Sequence, residues 1–491
     1  MNLEQNKQII DLLFRKNYLF SPDVLMRIPE NYDADNFFKK EKNIPRLEKV
    51  TYISGEKFSE LLGITNDTEA FYDNLKIVRA YEPEIKKREV GHFVTYFKNR
   101  YEKLRDILIN RAELNNAISI KRVLEKKPME KVAFIGMVVE KAITKKGNLI
   151  IELEDTSGKS IKVIANKERR ELMEDALRIV HDEVVGVTGT VGEGIIFANS
   201  LIFPEIPLGK ELKKLNENYF TAFISDIHFG SKMFLAEDFE RFLGWINGEV
   251  GTPEQKDIAK RIKYLFIIGD IVDGVGIYPE QDRELAIKDI YEQYNEAARY
   301  LSRIRPDIQL IACGGNHDAM RLAEPQPVLD KKYAGALYEL PNITMVTNPA
   351  VVNIHSSQTF PGFDVLMYHG YSFDYYVSNV EEIRTSGGYE RADLIMKLLL
   401  QKRHLAPSHA SNQYLPDTKT DPLVIDVVPD LFVSGHIHRA NIGNYRNVST
   451  ISSSCWQGKT IFQERTGHKP EPSRVPVVDL KTRQIRMMRF G

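Results

Sequence analysis

From residue 220 onward, five apolar segments each end in a short cluster of Asp, His or Asn, and this arrangement limits the possible folds more than any other feature. Apolar runs that alternate with helical segments are typical of α/β proteins. In open α/β sheets ligands gather beyond the carboxyl ends of the strands, so five strand ends can meet at one site. The clusters are D-I-H at 226–228, D-I-V-D-G at 270–274, N-H-D at 316–318, H-G at 369–370 and H-I-H at 436–438.

The residue types in these clusters suit a centre that holds two metal ions. Carboxylate, imidazole and amide oxygen make a mixed ligand set, which favours Mn, Fe, Zn or Ni over calcium. Paired ions ~3.5–4 Å apart clamp the attacking and leaving oxygens of an in-line phosphoryl displacement. A single cluster such as D-x-H is a weak signal and G-N-H-D a stronger one, but five clusters in this order predict a site that holds two metal ions.

Length and composition exclude several other classes of protein. The 491 residues predict about three domains, and the formal net charge of -1 means that any polyanion site is a local patch. Two cysteines without a C-x-x-C pair exclude a disulfide framework and a cysteine-based zinc module. The polar N-terminus predicts no signal peptide, and no apolar run predicts a transmembrane helix. We therefore expect a soluble protein of a reducing compartment, with no membrane partner.

The first quarter of the chain is predicted to contain a helical module and a basic region. Residues 1–30 show two short amphipathic helices, which are often used for docking, and residues 31–128 are predicted to be a linker and a basic helical region. Within residues 86–127 basic residues outnumber acidic ones, and four aromatic residues lie among them. Either this helix faces nucleic acid, or it is a solvated helix whose aromatic side chains pack inward. The aromatic residues are Phe93, Tyr96, Phe97 and Tyr101.

Residues 129–207 are rich in short β-type runs separated by Gly, Lys and Asn turns. A helical segment at 167–180 lies between the second and third of these four runs, which predicts a five-stranded OB-type β-barrel. Such barrels bind single-stranded nucleic acid or serve as platforms for other proteins. The strands carry no strong aromatic ladder, which weakens the case for base stacking without excluding it.

Two further segments near the clusters are candidates for DNA contacts. Aromatic residues that follow His369 could stack a frayed 3′ base, or they could simply pack the base of the loop. A basic triplet further on could meet a phosphate backbone, or it could be an exposed turn without a ligand. The aromatic residues are Tyr371, Phe373, Tyr375 and Tyr376, and the basic triplet is Lys402, Arg403 and His404.

The five clusters in this order resemble the calcineurin-like metallophosphoesterase superfamily, over roughly residues 220–465. An OB-like barrel directly before that domain, the segment HFVTYFKNRYEKLRDIL and the segment KRHLAP are similar to the small subunits of archaeal D-family DNA polymerases, over nearly the whole chain. The resemblance implies a calcineurin-like phosphoesterase β-sandwich flanked by helices at 215–491, preceded by the OB-type barrel and the N-terminal helical module.

The resemblance also implies roles for single residues. The ligands of one metal would be Asp226, His228, Asp270 and His438. The ligands of the other would be Asp270, Asn316, His369 and His436, with Asp270 bridging. His317 would stabilise the transition state or protonate the leaving oxygen, and Asp273 would orient His317. The two ions would be divalent, usually manganese, with iron, zinc or nickel also compatible.

The activity implied is that of a two-metal 3′–5′ exonuclease, which proofreads for a DNA-directed DNA polymerase. The substrate would be DNA with a single-stranded or mismatched 3′ end, and the main partner would be a large catalytic polymerase subunit. The N-terminal module would contact a sliding clamp or another replication protein, and the location would be cytoplasmic, at the nucleoid. Two alternatives remain open: a stand-alone phosphoesterase acting on small phosphate esters, and a polymerase scaffold with a silent site.

Overall fold

The computed structural model describes residues 12–13, 15–16, 18–19, 51–52, 75–81, 87–416, 420–466 and 468–491. The chain divides into two compact units, residues 1–75 and residues 76–491. In the first unit, strands β1 (Tyr18–Leu19) and β2 (Thr51–Tyr52) pair in parallel. Most of the predicted helical module at 1–30 and of the linker that follows it lies outside the described residues.

The second unit contains helices of four to 19 residues. None of the helices that the structure describes is long and apolar enough to cross a membrane. The α-helices are α1 (Val90–Leu108), α2 (Ile120–Val123), α3 (Arg170–Leu177), α4 (Ala236–Ile246), α5 (Pro253–Lys260), α6 (Ile290–Leu301), α7 (Lys331–Tyr338), α8 (Phe373–Asn379), α9 (Glu381–Thr385), α10 (Ala392–Lys402) and α11 (Ile461–Thr466). Short 3₁₀ turns are Ala112–Leu114, Gln281–Arg283 and Gly388–Glu390.

The predicted five-stranded barrel is confirmed. Its strands close in the order β4-β5-β6-β8-β7, and α3 lies between the third and fourth strands of the chain order. A Cβ on Gly186 would lie 2.4 Å from Leu114, so only glycine lets the 3₁₀ turn pack this closely on the barrel. The strands are β4 (Lys131–Ile143), β5 (Leu149–Glu154), β6 (Ser160–Ala165), β7 (Val184–Val191) and β8 (Ile195–Ile202).

The predicted phosphoesterase part, residues 215–491, together with β3 is built on two six-stranded sheets, ordered β12-β11-β10-β9-β18-β19 and β16-β17-β15-β14-β13-β3. The strands of the first are β9 (Phe220–Ile224), β10 (Ile262–Ile268), β11 (Gln309–Cys313), β12 (Ile343–Met345), β18 (Arg474–Asp479) and β19 (Ile485–Arg489). The strands of the second are β3 (Lys76–Arg79), β13 (Ala350–Ile354), β14 (Phe363–Met367), β15 (Leu431–Ser434), β16 (Asn441–Tyr445) and β17 (Val448–Ser452). This architecture confirms the predicted mixed α/β fold class.

Side chains alternate between the two faces of the first sheet, as the geometry of a strand requires. Ala222 and Ile224 pack in a core with the helices on the outer face. Phe223 points to the other face, where its ring stacks on Phe266 with centroids 5.2 Å apart. On this face the hydroxyl of Tyr264 lies 3.2 Å from Nδ1 of His355, directly after β13. The inner faces of the two sheets therefore meet there.

The sequence-based division placed residues 76–79 in the linker and basic helical region, whereas in the structure these residues form strand β3. It pairs antiparallel with β13 and forms the edge of the second sheet. The Arg79 side chain secures it by donating to the carbonyl oxygen of Val424 at 2.7 Å. A four-residue run carries little periodic signal, and its partner strand lies far along the chain.

The basic helix α1 packs its aromatic residues inward, as one of the two interpretations of the sequence had it. Tyr96 and Tyr101 are buried, together with Leu104 and Leu108 on the same face. The charged Arg100 is also fully buried. One face of the helix therefore packs against the rest of the unit, and its exposed basic residues lie on the face opposite the buried aromatic residues.

Candidate metal centre

The candidate residues lie at the ends of five neighbouring central strands. Strands β9, β10 and β11 are parallel neighbours in the first sheet, and β14 and β15 are parallel neighbours in the second. Each of the five clusters begins within three residues of its strand's last residue. Because parallel strands end at the same edge of a sheet, the five clusters meet where the two sheets face each other.

Five of the seven predicted ligands have left-handed backbone conformations, which non-glycine residues rarely adopt. Such conformations cost free energy, and they persist where the surrounding structure enforces them, most often at functional sites. Here they turn each side chain sharply away from its strand and into the centre. The φ angles are 49° at Asp226, 57° at His228, 49° at Asp270, 72° at His436 and 54° at His438.

The first group of ligand atoms consists of Asp226, His228 and His438, all buried. Nε2 of His228 and Nε2 of His438 lie 3.1 Å apart. Oδ1 of Asp226 lies 3.4 Å from Nε2 of His438. Two imidazole nitrogens and a carboxylate oxygen thus point at the same small volume, which is the arrangement that a divalent ion requires.

The second group lies around Oδ1 of Asn316. This oxygen is 3.0 Å from Nε2 of His369 and 3.0 Å from Nδ1 of His436. Oδ2 of Asp270 lies 3.3 Å from the same Nε2 of His369, and 4.0 Å from Nε2 of His228 in the first group. Asp270 therefore lies between the two groups.

Contacts of the outer ring nitrogens with oxygen atoms favour one tautomer in three of these histidines. Nδ1 of His369 donates to the carbonyl oxygen of Ile268 at 2.9 Å. Nδ1 of His228 lies 3.1 Å from Oδ1 of Asp273, and Nε2 of His436 lies 3.1 Å from Oδ2 of Asp374. When one ring nitrogen donates outward, the other keeps its lone pair, which here faces the centre and can bind a metal ion.

The charges in the centre stabilise one another. Burial raises the pKa of Asp270, but the adjacent His369 and His317 outweigh this and hold that pKa well below its usual range. Burial lowers the pKa of His369, while Asp270 and Asp226 raise it to about 10, so a cation that binds Nε2 of this ring must displace a proton from it. Asp270 is therefore ionised, which is the form that binds a cation.

His317 lies at the edge of this centre, with its ring 4.7 Å from that of His228. Its Nδ1 donates to the backbone carbonyl of Asp273 at 2.8 Å, which leaves Nε2 available to a substrate. The prediction that the Asp273 carboxylate orients His317 is therefore wrong, because Asp273 holds His317 through its backbone carbonyl. That carboxylate contacts His228, and it also accepts from Gln457 at 2.9 Å.

Sequence reasoning missed several residues that support the centre. Asp374 contacts His436, and Gln463 lies 2.9 Å from Nδ1 of His438. The carboxylate of Asp318, the last residue of the G-N-H-D motif, accepts from the backbone N–H of Gly315 at 2.9 Å. Burial raises the pKa of Asp318 to about 6. Only the motif position of Asp318 offered a signal in the sequence.

The aromatic residues after His369 divide into two kinds. Tyr371 is half-buried, and its ring centroid lies 5.7 Å from that of His436, beside the centre. Phe373 is fully buried in the core of the second sheet and its helices. The prediction that Phe373 stacks a DNA base is therefore wrong, because no ligand can reach it, whereas Tyr371 remains a candidate.

The basic triplet Lys402, Arg403 and His404 is buried, so the prediction that it meets a phosphate backbone is wrong. Lys402 pairs with Glu183 of the barrel and donates to the carbonyl oxygen of Arg178 at 2.9 Å. Arg403 donates to the carbonyl oxygen of Ile425 at 2.6 Å, and Nε2 of His404 donates to Asp421 at 2.8 Å. Lys402 thus joins the barrel to the phosphoesterase part, whereas the bonds of Arg403 to Ile425 and of His404 to Asp421 lie within that part.

Comparison with known proteins agrees with this geometry. The family model for calcineurin-like phosphoesterases matches residues 221–440, which contain all five clusters. The DNA polymerase II small subunit of Methanothermobacter thermautotrophicus is 41% identical over 391 residues, covering 80% of this chain and 78% of that protein. This chain belongs to the family of DNA polymerase II small subunits. The corresponding subunit of Pyrococcus furiosus is 36% identical over 466 residues, covering 93% of this chain and 74% of that protein.

Membership of this family confirms the resemblance inferred from the sequence, and its phosphoesterase domain implies divalent metal ions as cofactors. The described residues fit such ions in their donor chemistry. Three groups of side chains place their ligand atoms within 4.8 Å of one another. They are Asp226, His228 and His438; Asp226, Asp270 and His369; and His228, Asp273 and His317.

Proposed function

We propose that this chain is the metal-dependent 3′–5′ exonuclease subunit of a heteromeric replicative DNA polymerase. One observation carries the proposal: seven ligand-type side chains from five strand ends point into one centre, three of them histidines whose contacts favour one tautomer. A scaffold subunit with a silent site has no need of such a set. Buried His and Asp side chains that lack a partner ion are costly to a fold.

In this proposal Asp226, His228, Asp270 and His438 hold one divalent ion, and Asp270, Asn316, His369 and His436 hold the other. Asp270 bridges, consistent with its position between the two groups. Manganese is the first choice, and the nitrogen and oxygen ligands also suit iron, zinc or nickel. The ions supply charge neutralisation at the phosphoryl oxygens and a water activated for attack.

The remaining steps fall to the protein's own side chains. His317 stands next to Asn316, with Nδ1 tied to a backbone carbonyl and Nε2 free. It is placed to donate a proton to the departing 3′ oxygen, or to stabilise its charge, which is worth ~10²–10⁴ in rate. The carboxylate of Asp273 positions His228, while its backbone carbonyl holds His317. Tyr371, beside His436, stacks the frayed 3′ base.

The partner in this proposal is a large catalytic polymerase subunit, because the relatives of this chain are named as small subunits of DNA polymerase II. The barrel, which the proposal takes to be an OB-type module, provides a platform on which the large subunit docks. The N-terminal region contacts a sliding clamp or another replication protein. The complex works on DNA with a single-stranded or mismatched 3′ end, in the cytoplasm at the nucleoid.

The test uses the full chain, alone and co-purified with its large subunit, on DNA with a mismatched 3′ end. One substrate carries a label at the 5′ end and the other at the 3′ end, so the polarity of cleavage is read directly. We expect stepwise shortening from the 3′ end that requires manganese and is lost in Asp270→Asn. Cleavage of a small chromogenic diester in preference to both DNAs would favour a stand-alone phosphoesterase. No cleavage of any substrate by the metallated complex would favour a scaffold.

A further inference from the structure

Asp374 contacts a predicted metal ligand although it belongs to none of the five clusters. It lies in the first turn of α8, five positions after His369. Its Oδ2 is 3.1 Å from Nε2 of His436, while the other ring nitrogen of His436 is 3.0 Å from Oδ1 of Asn316. The imidazole of His436 is thus held between a carboxylate on one side and the metal centre on the other.

We propose that Asp374 is a positioning residue, which holds His436 in the tautomer and ring orientation that the second metal ion requires. As acceptor, it keeps the proton of His436 on Nε2 and leaves the lone pair of Nδ1 facing Asn316. This inference rests on the proposed metal-dependent function. It adds a residue that acts through His436 and touches neither metal nor substrate.

The surroundings of Asp374 keep its carboxylate in place. Tyr389 lies near this carboxylate, and burial together with the charge of Asp374 raises the pKa of its hydroxyl. The loop before α8 is anchored from behind, because the hydroxyl of Ser372 donates to the carbonyl oxygen of Leu405 at 2.7 Å. The next residue, Phe373, is fully buried. Because the backbone around Asp374 is anchored in this way, its carboxylate stays in one position and can fix the orientation of the His436 ring.

The contact between Asp374 and His436 joins a carboxylate to a ring N–H. A carboxylate acceptor makes a charge-assisted hydrogen bond, which is stronger than a neutral one. The same arrangement occurs at His228, where Asp273 is the carboxylate. Each proposed metal site thus has one histidine supported by a carboxylate.

The experiment compares Asp374→Ala and Asp374→Asn with the wild-type full-length chain. Manganese binding is followed by electron paramagnetic resonance during titration, and stoichiometry is checked by elemental analysis. We expect Asp374→Ala to bind the second ion 10–100-fold more weakly, the usual effect of removing such a support, with the first ion unchanged. Asp374→Asn retains an acceptor oxygen and should recover most of this affinity. Rescue by the amide separates positioning from a general loss of structure.

Asp393→Ala is the matched control, because Asp393 is a carboxylate near the start of α10 that pairs with Arg391 at 2.8 Å. It should bind two ions as the wild type does. Wild-type affinity in Asp374→Ala, or no recovery in Asp374→Asn, would overturn the positioning role while leaving the proposed function intact. If the wild-type chain itself bound fewer than two ions, the proposed function and this inference would fail together.

Discussion

Arg100 and Asp421 form a fully buried ion pair, with 2.6 Å between Nε and Oδ2, across 321 positions of sequence. Asp421 also accepts from the hydroxyl of Tyr96 at 2.7 Å and from Nε2 of His404 at 2.8 Å. Burial raises the pKa of Asp421, but Arg100 and His404 outweigh it and hold that pKa well below its usual range. Helix α1 is therefore held against the phosphoesterase part by a buried polar network.

Replacing Arg100 with Met should destabilise the protein strongly. The change leaves the carboxylate of Asp421 buried without its cation, and breaking one side of a buried pair costs ~3–5 kcal/mol. The thermal midpoint measures this loss. Arg303→Met is the control, because Arg303 and Glu240 form a pair on the surface, where such pairs contribute little. Equal midpoints for the two variants would contradict this assignment.

Stability should fall between about pH 6.5 and pH 4, in part because of His404. Burial and then Arg100 lower its pKa to about 4, and the ring stays neutral, donating through Nε2 and accepting from the N–H of Ala406 at 3.0 Å. In this window the unfolded chain binds a proton that the folded chain does not, so acid favours unfolding.

The measurement is the thermal midpoint from pH 7.5 to pH 4.5. His404→Asn should lose less stability than the wild type over this range, because it removes one titrating group from the comparison. His181→Asn, at an exposed position, should follow the wild-type profile. A wild-type profile in His404→Asn would show that the ring does not stay neutral in the folded protein.

Replacing Lys402 with Met should lower stability rather than affinity for DNA. Lys402 is 2% exposed and pairs with Glu183 of the barrel, so the variant leaves a buried carboxylate without its partner. We expect a lower thermal midpoint and unchanged binding of single-stranded DNA at temperatures where the variant is folded. If the variant bound DNA more weakly while its thermal midpoint stayed the same, Lys402 would contact a phosphate group after all.

Metal content should separate the two proposed ion positions. Asp270→Ala should weaken both ions, because its carboxylate lies between His228 and His369. His369→Ala should lose mainly the ion next to Asn316. Elemental analysis after dialysis against manganese gives the stoichiometry of each variant. Two ions in Asp270→Ala would exclude the bridging role.

His317→Ala should keep both ions, the fold and DNA binding, and lose about 10²-fold or more in exonuclease rate, the effect of losing one positioned proton donor. Its ring contacts His228 only edge to face, at 4.7 Å between centroids. Single-turnover degradation of a mismatched 3′ end, with metal content checked in parallel, gives the rate. Near-normal cleavage by the fully metallated variant would place the proton donor elsewhere. Polymerisation by the large subunit should survive.

The strand ends, the barrel and the five clusters could be predicted from the order of the residues alone. These are local patterns, because an apolar run and the Asp, His or Asn that follows it occupy consecutive positions of the chain. The topology of parallel strands then brings such ends to one edge, whatever the details of packing. The five clusters could therefore be placed at one edge before any coordinate was known, and the resemblance to a known family then implied which seven of their side chains are ligands.

The contacts of the remaining charged and aromatic residues could be seen only in the folded protein. Lys402 and His404 look like an exposed basic turn, but their partners Glu183 and Asp421 make burial possible. Asp273 contacts His228 because the two clusters meet at that edge, and Asp374 has no motif to mark it. Whether a polar side chain is buried depends on whether a partner reaches it, and those partners lie on other elements of the fold.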